Sequence, residues 1–256
     1  MSEIKGIIFD IDGVLEFQGK VYPGAVETLE LLRSKGLLVR FLTNSTLKSR
    51  LSCAQKLRRS GFEANQDEVI TASYAAAVYL NSLSPRSCWV MVERAGLDEF
   101  KEFVIDDLEP EYVVVGDNRS RFDFAHLNQA VKLLLNGAQL IAMQGEQLDT
   151  SMGDVELNVG AWAGMLERAS GRPAVYLGKP NPYNFNLALG SMGLDKDQVI
   201  AVGDRVHTDV LGARNTGLRS ILVRTGEFHP RELGGEIQPD FICDSVRDLP
   251  AVILSA

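Results

Sequence analysis

The stretch Gly6-Ile7-Ile8-Phe9-Asp10-Ile11-Asp12-Gly13-Val14-Leu15 decides the fold. Four residues rich in apolar and β-branched side chains run into a carboxylate, a second carboxylate two residues on, and a glycine. A run without polar alternation suits a strand buried on both faces, and such strands belong to parallel sheets. The same grammar recurs outward along the chain. Residues 37–42 end at Thr43, residues 68–70 at Thr71, residues 199–202 at Gly203-Asp204, and residues 220–223 at Arg224. Helical periodicity fills the gaps. Residues 25–34 stop at Gly36, and residues 47–60 place Leu47, Leu51, Ala54 and Leu57 on one face before Gly61. Residues 181–192 and 208–215 stop at Gly193 and Gly217, the position where a left-handed residue closes a helix. Strand and helix in strict alternation predict an α/β fold with a doubly wound parallel sheet.

The middle of the chain carries a second pattern of its own. A helix is expected over 74–81, then a polar break at Ser82-Leu83-Ser84-Pro85-Arg86. Strands follow at 88–92, 112–115 and 139–143, with helices at 122–135 and 159–169. The reading is a Rossmann-like core over 1–72 and 175–256, interrupted by an inserted α/β cap domain over 73–174.

Composition narrows the function classes. The 256 residues include 26 basic and 34 acidic ones, a net charge of −8, and 45% are hydrophobic. That is enough apolar content to bury a core, and too acidic a surface for a sequence-independent nucleic-acid binder. No apolar run reaches the ~20 residues of a membrane span. The N-terminal Met1-Ser2-Glu3-Ile4-Lys5-Gly6 lacks the basic and apolar regions of a signal peptide. Cys53, Cys88 and Cys243 are odd in number and show no CxxC spacing, so a cytoplasmic protein with free thiols is expected.

In an open parallel sheet, ligands sit at the carboxyl ends of the strands. Those ends hold Asp10 and Asp12, then Thr43-Asn44-Ser45, then Gly178-Lys179-Pro180 on the return from the insert, then Gly203-Asp204 with Asp209. A carboxylate can attack phosphorus and split one hard hydrolysis into two easier steps. Repulsion between carboxylate and phosphate must then be cancelled, which calls for Mg²⁺ on Asp10, Asp204 and a backbone carbonyl. Lys179 would add positive charge. Thr43 and the N–H groups opening the helix expected from Leu47 would hold the remaining oxygens. Asp12 would serve as acid and then base, and Gly13 would permit the tight turn.

These four segments, in this order, resemble the four motifs of the haloacid dehalogenase superfamily of phosphatases. The insert between the second and third, with Gly203-Asp204-Arg205-x-x-Thr208-Asp209 as the fourth, is similar to subfamily IIA, which includes 4-nitrophenylphosphatase-like and phosphoglycolate-phosphatase-like enzymes. The resemblance implies that Asp10 is the nucleophile and Asp12 the acid and base. It implies that Thr43, Asn44, Ser45 and Lys179 bind the phosphate, and that Asp204 completes the Mg²⁺ site with the Asp12 carbonyl. Asp209 would orient Lys179 or a metal-bound water. Relatives often pair through their caps, so a homodimer is a further expectation.

Two departures stand out. Ser45 replaces an asparagine found in many relatives. The loop Gln144-Gly145-Glu146-Gln147-Leu148-Asp149-Thr150-Ser151 lacks their Asn, Asp and Pro pattern, in the region whose residues usually choose the substrate.

Each signal has a plainer reading beside it. Lys179 alone could be a solvated lysine, and Asp209 could merely offset the dipole of its helix. His207 reads as a loop histidine, Trp162 as cap packing, and Arg58-Arg59 as a solvated helix face. The function expected is a Mg²⁺-dependent phosphatase for small phosphorylated metabolites, working through an aspartyl-phosphate, with specificity set by the cap. The rivals are a metal-dependent Asp-x-Asp glycosyltransferase and a catalytically idle phosphate-binding regulatory protein.

Overall fold

A computed structural model of the chain describes residues 3–150 and 153–255. Met1 and Ser2 of the N-terminal stretch, and Ser151 of the loop after Met143, lie outside the described residues. The chain forms two compact units, one of Met1–Thr43, Cys53–Ile70 and Lys179–Ala256, the other of Asn44–Ser52 and Thr71–Gly178.

The first unit is built on a six-stranded sheet. Its strand order is Phe241–Cys243, Arg219–Val223, Val199–Gly203, Gly6–Asp10, Leu38–Thr43, Val69–Thr71. Gly6–Asp10 is central and pairs in parallel with Leu38–Thr43 on one side and Val199–Gly203 on the other. Strand order reverses at this strand, and that switch point brings Asp10 and Asp204 to neighbouring strand ends. Ile7 and Phe9 are buried in a core with Leu29, Leu32, Phe41, Leu57 and Ile200, while Ile8 is buried as well. Burial of successive residues means burial of both faces, which explains the unbroken apolar run.

Helix boundaries moved where local hydrogen bonds outcompeted periodicity. The helix expected over 47–60 begins at Arg50 and runs Arg50–Arg59. Ser49 Oγ accepts from Ser52 N at 3.2 Å and so acts as the N-cap, which leaves Leu47 and Lys48 outside the helix. Its buried stripe is therefore Cys53, Ala54 and Leu57, and Leu51 is 47% exposed. The helix expected over 208–215 becomes a π-helical turn, Val206–Val210, followed by Leu211–Thr216. The wide turn arises because Asp209 N and Val210 N both donate to the Arg205 carbonyl, at 3.0 and 3.3 Å.

The second unit has a four-stranded sheet in the order Ala174–Tyr176, Gln139–Ala142, Tyr112–Val115, Cys88–Met91, with every pairing parallel. Val113, Val115, Leu140, Leu133 from Phe124–Leu135 and Leu166 from Val159–Ser170 make its core. Trp162 packs on Phe122 with ring centroids 4.7 Å apart. The strand Ala174–Tyr176 was invisible to pattern reading because it is a three-residue edge strand without a buried residue. It is held from the preceding helix, where Glu167 accepts from Ala174 N and from the Tyr176 hydroxyl, each at 2.6 Å. The second unit accordingly reaches Gly178, beyond residue 174, and includes 44–52. Among the described residues no helix is long and apolar enough to cross a membrane.

Candidate active site

The carboxyl edge of the first sheet gathers four charged side chains. Lys179 is the hub: its Nζ lies 2.9 Å from Asp10 Oδ1 and 2.6 Å from Asp209 Oδ1. Asp10, Asp204 and Asp209 each place a carboxylate oxygen within 4.8 Å of the others. Asp10 Oδ1 also accepts from Ile11 N at 2.8 Å, so both donors fall on one oxygen and Oδ2 has none among the described residues. Asp209 has both oxygens engaged, since its Oδ2 takes Arg205 N and Thr208 Oγ1, each at 3.2 Å. The two readings of Asp209 thus merge: it accepts from the start of its own helical turn and also grips Lys179.

Burial and crowding set the charges. Desolvation pushes Asp10 up to about 7, opposed by Lys179 and reinforced by Asp209 and Asp12. Asp204 is pushed up to about 9 by desolvation first, then by Asp10 and Asp209. For Lys179, desolvation works against the charge, yet Asp10 and Asp209 outweigh it and hold the ammonium well above its usual range. Three carboxylates facing one lysine would carry net negative charge once ionised, and the raised values of Asp10 and Asp204 reflect that crowding. An all-oxygen donor set in surplus of charge fits a hard divalent cation. Asp10, Asp204 and Asp209 form the acidic cluster that could hold one, and Asp209 already carries donors on both of its oxygens.

Two strands of this sheet run into the segments that carry the other expected residues. Gly13 has φ +87°, and a Cβ there would stand 2.0 Å from Asp204 Oδ2, so only glycine lets the loop approach this carboxylate. The Asp12 side chain is not among the gathered carboxylates. It is 46% exposed and 3.9 Å from Lys56 Nζ, and Lys56 also pairs closely with the buried Glu16. Thr43 ends the neighbouring strand and is buried. Asn44 and Ser45 fall in the second unit, where Asn44 Nδ2 donates to Glu146 Oε2 at 3.2 Å and the Ser45 carbonyl accepts from Ala72 N at 3.2 Å.

One expectation needs correcting. The N–H groups at the start of the helix read from Leu47 were expected to face phosphate, but that helix begins at Arg50. Arg50 N instead donates to Glu99 Oε1 at 2.6 Å, and Ser52 N to Ser49 Oγ. His207 is exposed, on the π-helical turn Val206–Val210 and not in a loop, and Arg58 and Arg59 are exposed as well.

Sequence reading missed Tyr22, Thr225, Gly226 and Glu227. Thr225 Oγ1 donates to the Gly13 carbonyl at 2.6 Å, and Glu227 N to Asp204 Oδ2 at 2.7 Å. The signal was present: Thr225-Gly226 follows the end of a parallel strand, the place where ligands gather.

The sequence profile of the haloacid dehalogenase-like hydrolases matches residues 7–105, and a related HAD hydrolase-like profile matches residues 176–249. Haloacid dehalogenase-like hydrolase domain-containing protein 2 of Bos taurus is 34% identical over 225 residues, 88% of this chain and 86% of the relative. The chain belongs to the haloacid dehalogenase-like hydrolases. The human phospholysine phosphohistidine inorganic pyrophosphate phosphatase is 31% identical over 261 residues, 99% of this chain and 96% of that protein. Among solved haloacid dehalogenase-like structures, 4-nitrophenylphosphatase from Thermotoga maritima superposes with a TM-score of 0.92 at 29% identity, covering 98% and 97% of the two chains.

Proposed function

We infer that the chain is a Mg²⁺-dependent phosphomonoesterase acting through an aspartyl-phosphate on Asp10. The observation that carries this reading is the buried Asp10–Lys179–Asp209 array beside Asp204. With the Lys179 ammonium and the Ile11 amide both on Oδ1, Oδ2 of Asp10 is the oxygen placed to attack phosphorus. As the Oδ2–P bond forms, the bond from phosphorus to the ester oxygen breaks, and Asp12 gives its proton to that oxygen. Asp12, now a carboxylate, takes a proton from the water that attacks phosphorus and releases Asp10. Lys179, the Thr43 hydroxyl, Asn44 and Ser45 bind the non-reacting oxygens. Mg²⁺ held by Asp10, Asp204 and the Asp12 carbonyl would neutralise the charge that otherwise repels the nucleophile.

The substrate class proposed is the small phosphate monoester of a metabolite, with selection by residues of the second unit. The named activities of the relatives, on 4-nitrophenyl phosphate and on phosphorylated lysine, phosphorylated histidine and pyrophosphate, mark the compounds to try first. A cytoplasmic setting agrees with three buried cysteines that form no disulfide among the described residues.

Purified protein assayed on 4-nitrophenyl phosphate with Mg²⁺, with EDTA, and as Asp10→Asn tests the reading. Turnover that needs metal and disappears in Asp10→Asn is expected. Turnover that ignores EDTA, or that survives in Asp10→Asn, overturns the mechanism.

A further inference from the structure

Three consecutive residues beyond the Arg219–Val223 strand touch Asp204, one oxygen source proposed for the cation, and the Gly13 carbonyl, one residue past the Asp12 carbonyl proposed as another. Thr225 Oγ1 donates to the Gly13 carbonyl at 2.6 Å, gripping the peptide next to the Asp12 carbonyl. Glu227 N donates to Asp204 Oδ2 at 2.7 Å, which ties down one carboxylate oxygen and leaves the other to face a ligand. Gly226 joins them with φ +64°, and a Cβ on it would stand 2.1 Å from Asp204 Oδ2 and 2.3 Å from Gly13 Cα. Its own N–H donates to the Tyr22 hydroxyl at 2.8 Å, and Tyr22 N is anchored on the Leu15 carbonyl at 3.0 Å. The turn is therefore pinned at every residue, and its two outer bonds fix the Asp12-Gly13 loop relative to Asp204.

We propose that Thr225 and Tyr22 are positioning residues for the divalent cation, through a clasp that holds Asp204 and the Gly13 carbonyl, one residue past the Asp12 carbonyl, in register. This rests on the metal reading of the site given above. Partners that orient metal ligands commonly govern affinity by ~10–100-fold, since a ligand left to rotate loses its preorganisation. Loosening either end of the clasp should weaken the site without removing any ligand.

The test uses the full chain and Mn²⁺ as probe, with free Mn²⁺ read by its paramagnetic resonance and heat of binding read by calorimetry. Thr225→Val and Tyr22→Phe are expected to raise the Mn²⁺ dissociation constant by about tenfold or more. Thr225→Ser, which keeps the hydroxyl, is expected to restore wild-type affinity, a rescue that loss of packing alone would not produce. Circular dichroism and melting of the metal-free variants identify any that fail to fold, and Thr225→Ser against Thr225→Val then decides at constant site. Unchanged affinity in both loosened variants, or weakened affinity in Thr225→Ser as well, overturns the clasp while the metal site stands. A wild-type chain that binds no Mn²⁺ overturns the metal reading and the clasp with it.

Discussion

Lys179 and Asp10 form an ion pair of 2.9 Å in which the lysine is only 4% exposed. A buried pair stands because each charge answers the other, so removing one partner leaves the other uncompensated. Lys179→Met would leave Asp10, Asp204 and Asp209 crowded without a cation of the chain's own. The expected outcome is a loss of about 3 kcal/mol of stability in metal-free protein at neutral pH. A fall in kcat of roughly 10³-fold should accompany it, as for removal of a group aimed at developing charge. Urea titration and steady-state kinetics measure the two, and a variant with wild-type stability and kcat would refute the account.

The pH dependence follows in sign. Asp10 rises from 3.8 to about 7 and Asp204 from 3.8 to about 9 in the folded, metal-free chain. The folded state then holds protons that the unfolded chain has released, so this contribution is complete below pH 3.8 and disappears as pH climbs through 7 and 9. A cation needs the ionised carboxylates, so it must compete with those protons. The melting-temperature gain from Mg²⁺ should therefore grow steadily between pH 5 and 9, and should vanish in Asp204→Asn. An equal gain at pH 5 and pH 8.5 would contradict this.

Much of the site was legible because it sits on strand ends. Asp10, Thr43 and Asp204 terminate or directly follow apolar runs, Lys179 lies in a short loop, and Asp209 lies in the π-helical turn that follows Asp204. Unbroken apolar runs identify parallel strands, and parallel strands point their carboxyl ends at ligands, so composition along the chain leads to chemistry. Contacts between distant residues left no such trace. Thr225 and Gly13 are 212 positions apart, and nothing local to either foretells their bond. Helix starts were misplaced where a side chain could cap at more than one position: Thr46 and Ser49 both could, and Ser49 does. Thr46 Oγ1 instead accepts from Asp117 N at 2.9 Å, a bond across 71 positions.

Glu16 is a buried carboxylate outside the proposed chemistry, 1% exposed, paired closely with Lys56 and accepting from Ser60 Oγ at 3.1 Å. Lys56→Met would strand that charge, at a cost of about 2 kcal/mol after discounting for the partial exposure of the lysine. The double change Lys56→Met with Glu16→Leu should recover at least half of it, because the orphaned charge goes too. Denaturant melts of the three variants decide, and a double variant weaker than the sum of the singles would sink the idea.

Asn184 is fully buried, and neither polar atom of its amide finds a hydrogen-bond partner among the described residues. A buried amide without partners costs about 1–3 kcal/mol relative to an apolar group of similar size. Asn184→Leu is therefore expected to stabilise the chain by about 1 kcal/mol, a fraction of that range because the shapes differ. A lower midpoint in urea would show that the amide has a partner that matters.

The Asp12 side chain, half exposed and 3.9 Å from Lys56, lies apart from the array around Lys179. That separation suits a group that acts on the leaving oxygen and on water while Asp10 acts on phosphorus. The two tasks depend differently on the substrate. An alkyl oxygen leaves badly without a proton, whereas 4-nitrophenolate leaves readily as an anion. Asp12→Asn should therefore slow alkyl phosphates at the first step by roughly 10²–10⁴-fold. With 4-nitrophenyl phosphate the first step should survive and the second, which needs a base for water, should stall. Rapid mixing would then show a burst of about one 4-nitrophenolate per site followed by slow turnover, the signature of an accumulating covalent intermediate. Equal slowing of both esters, with no burst, would remove Asp12 from the acid and base role and leave its carbonyl as its only contribution.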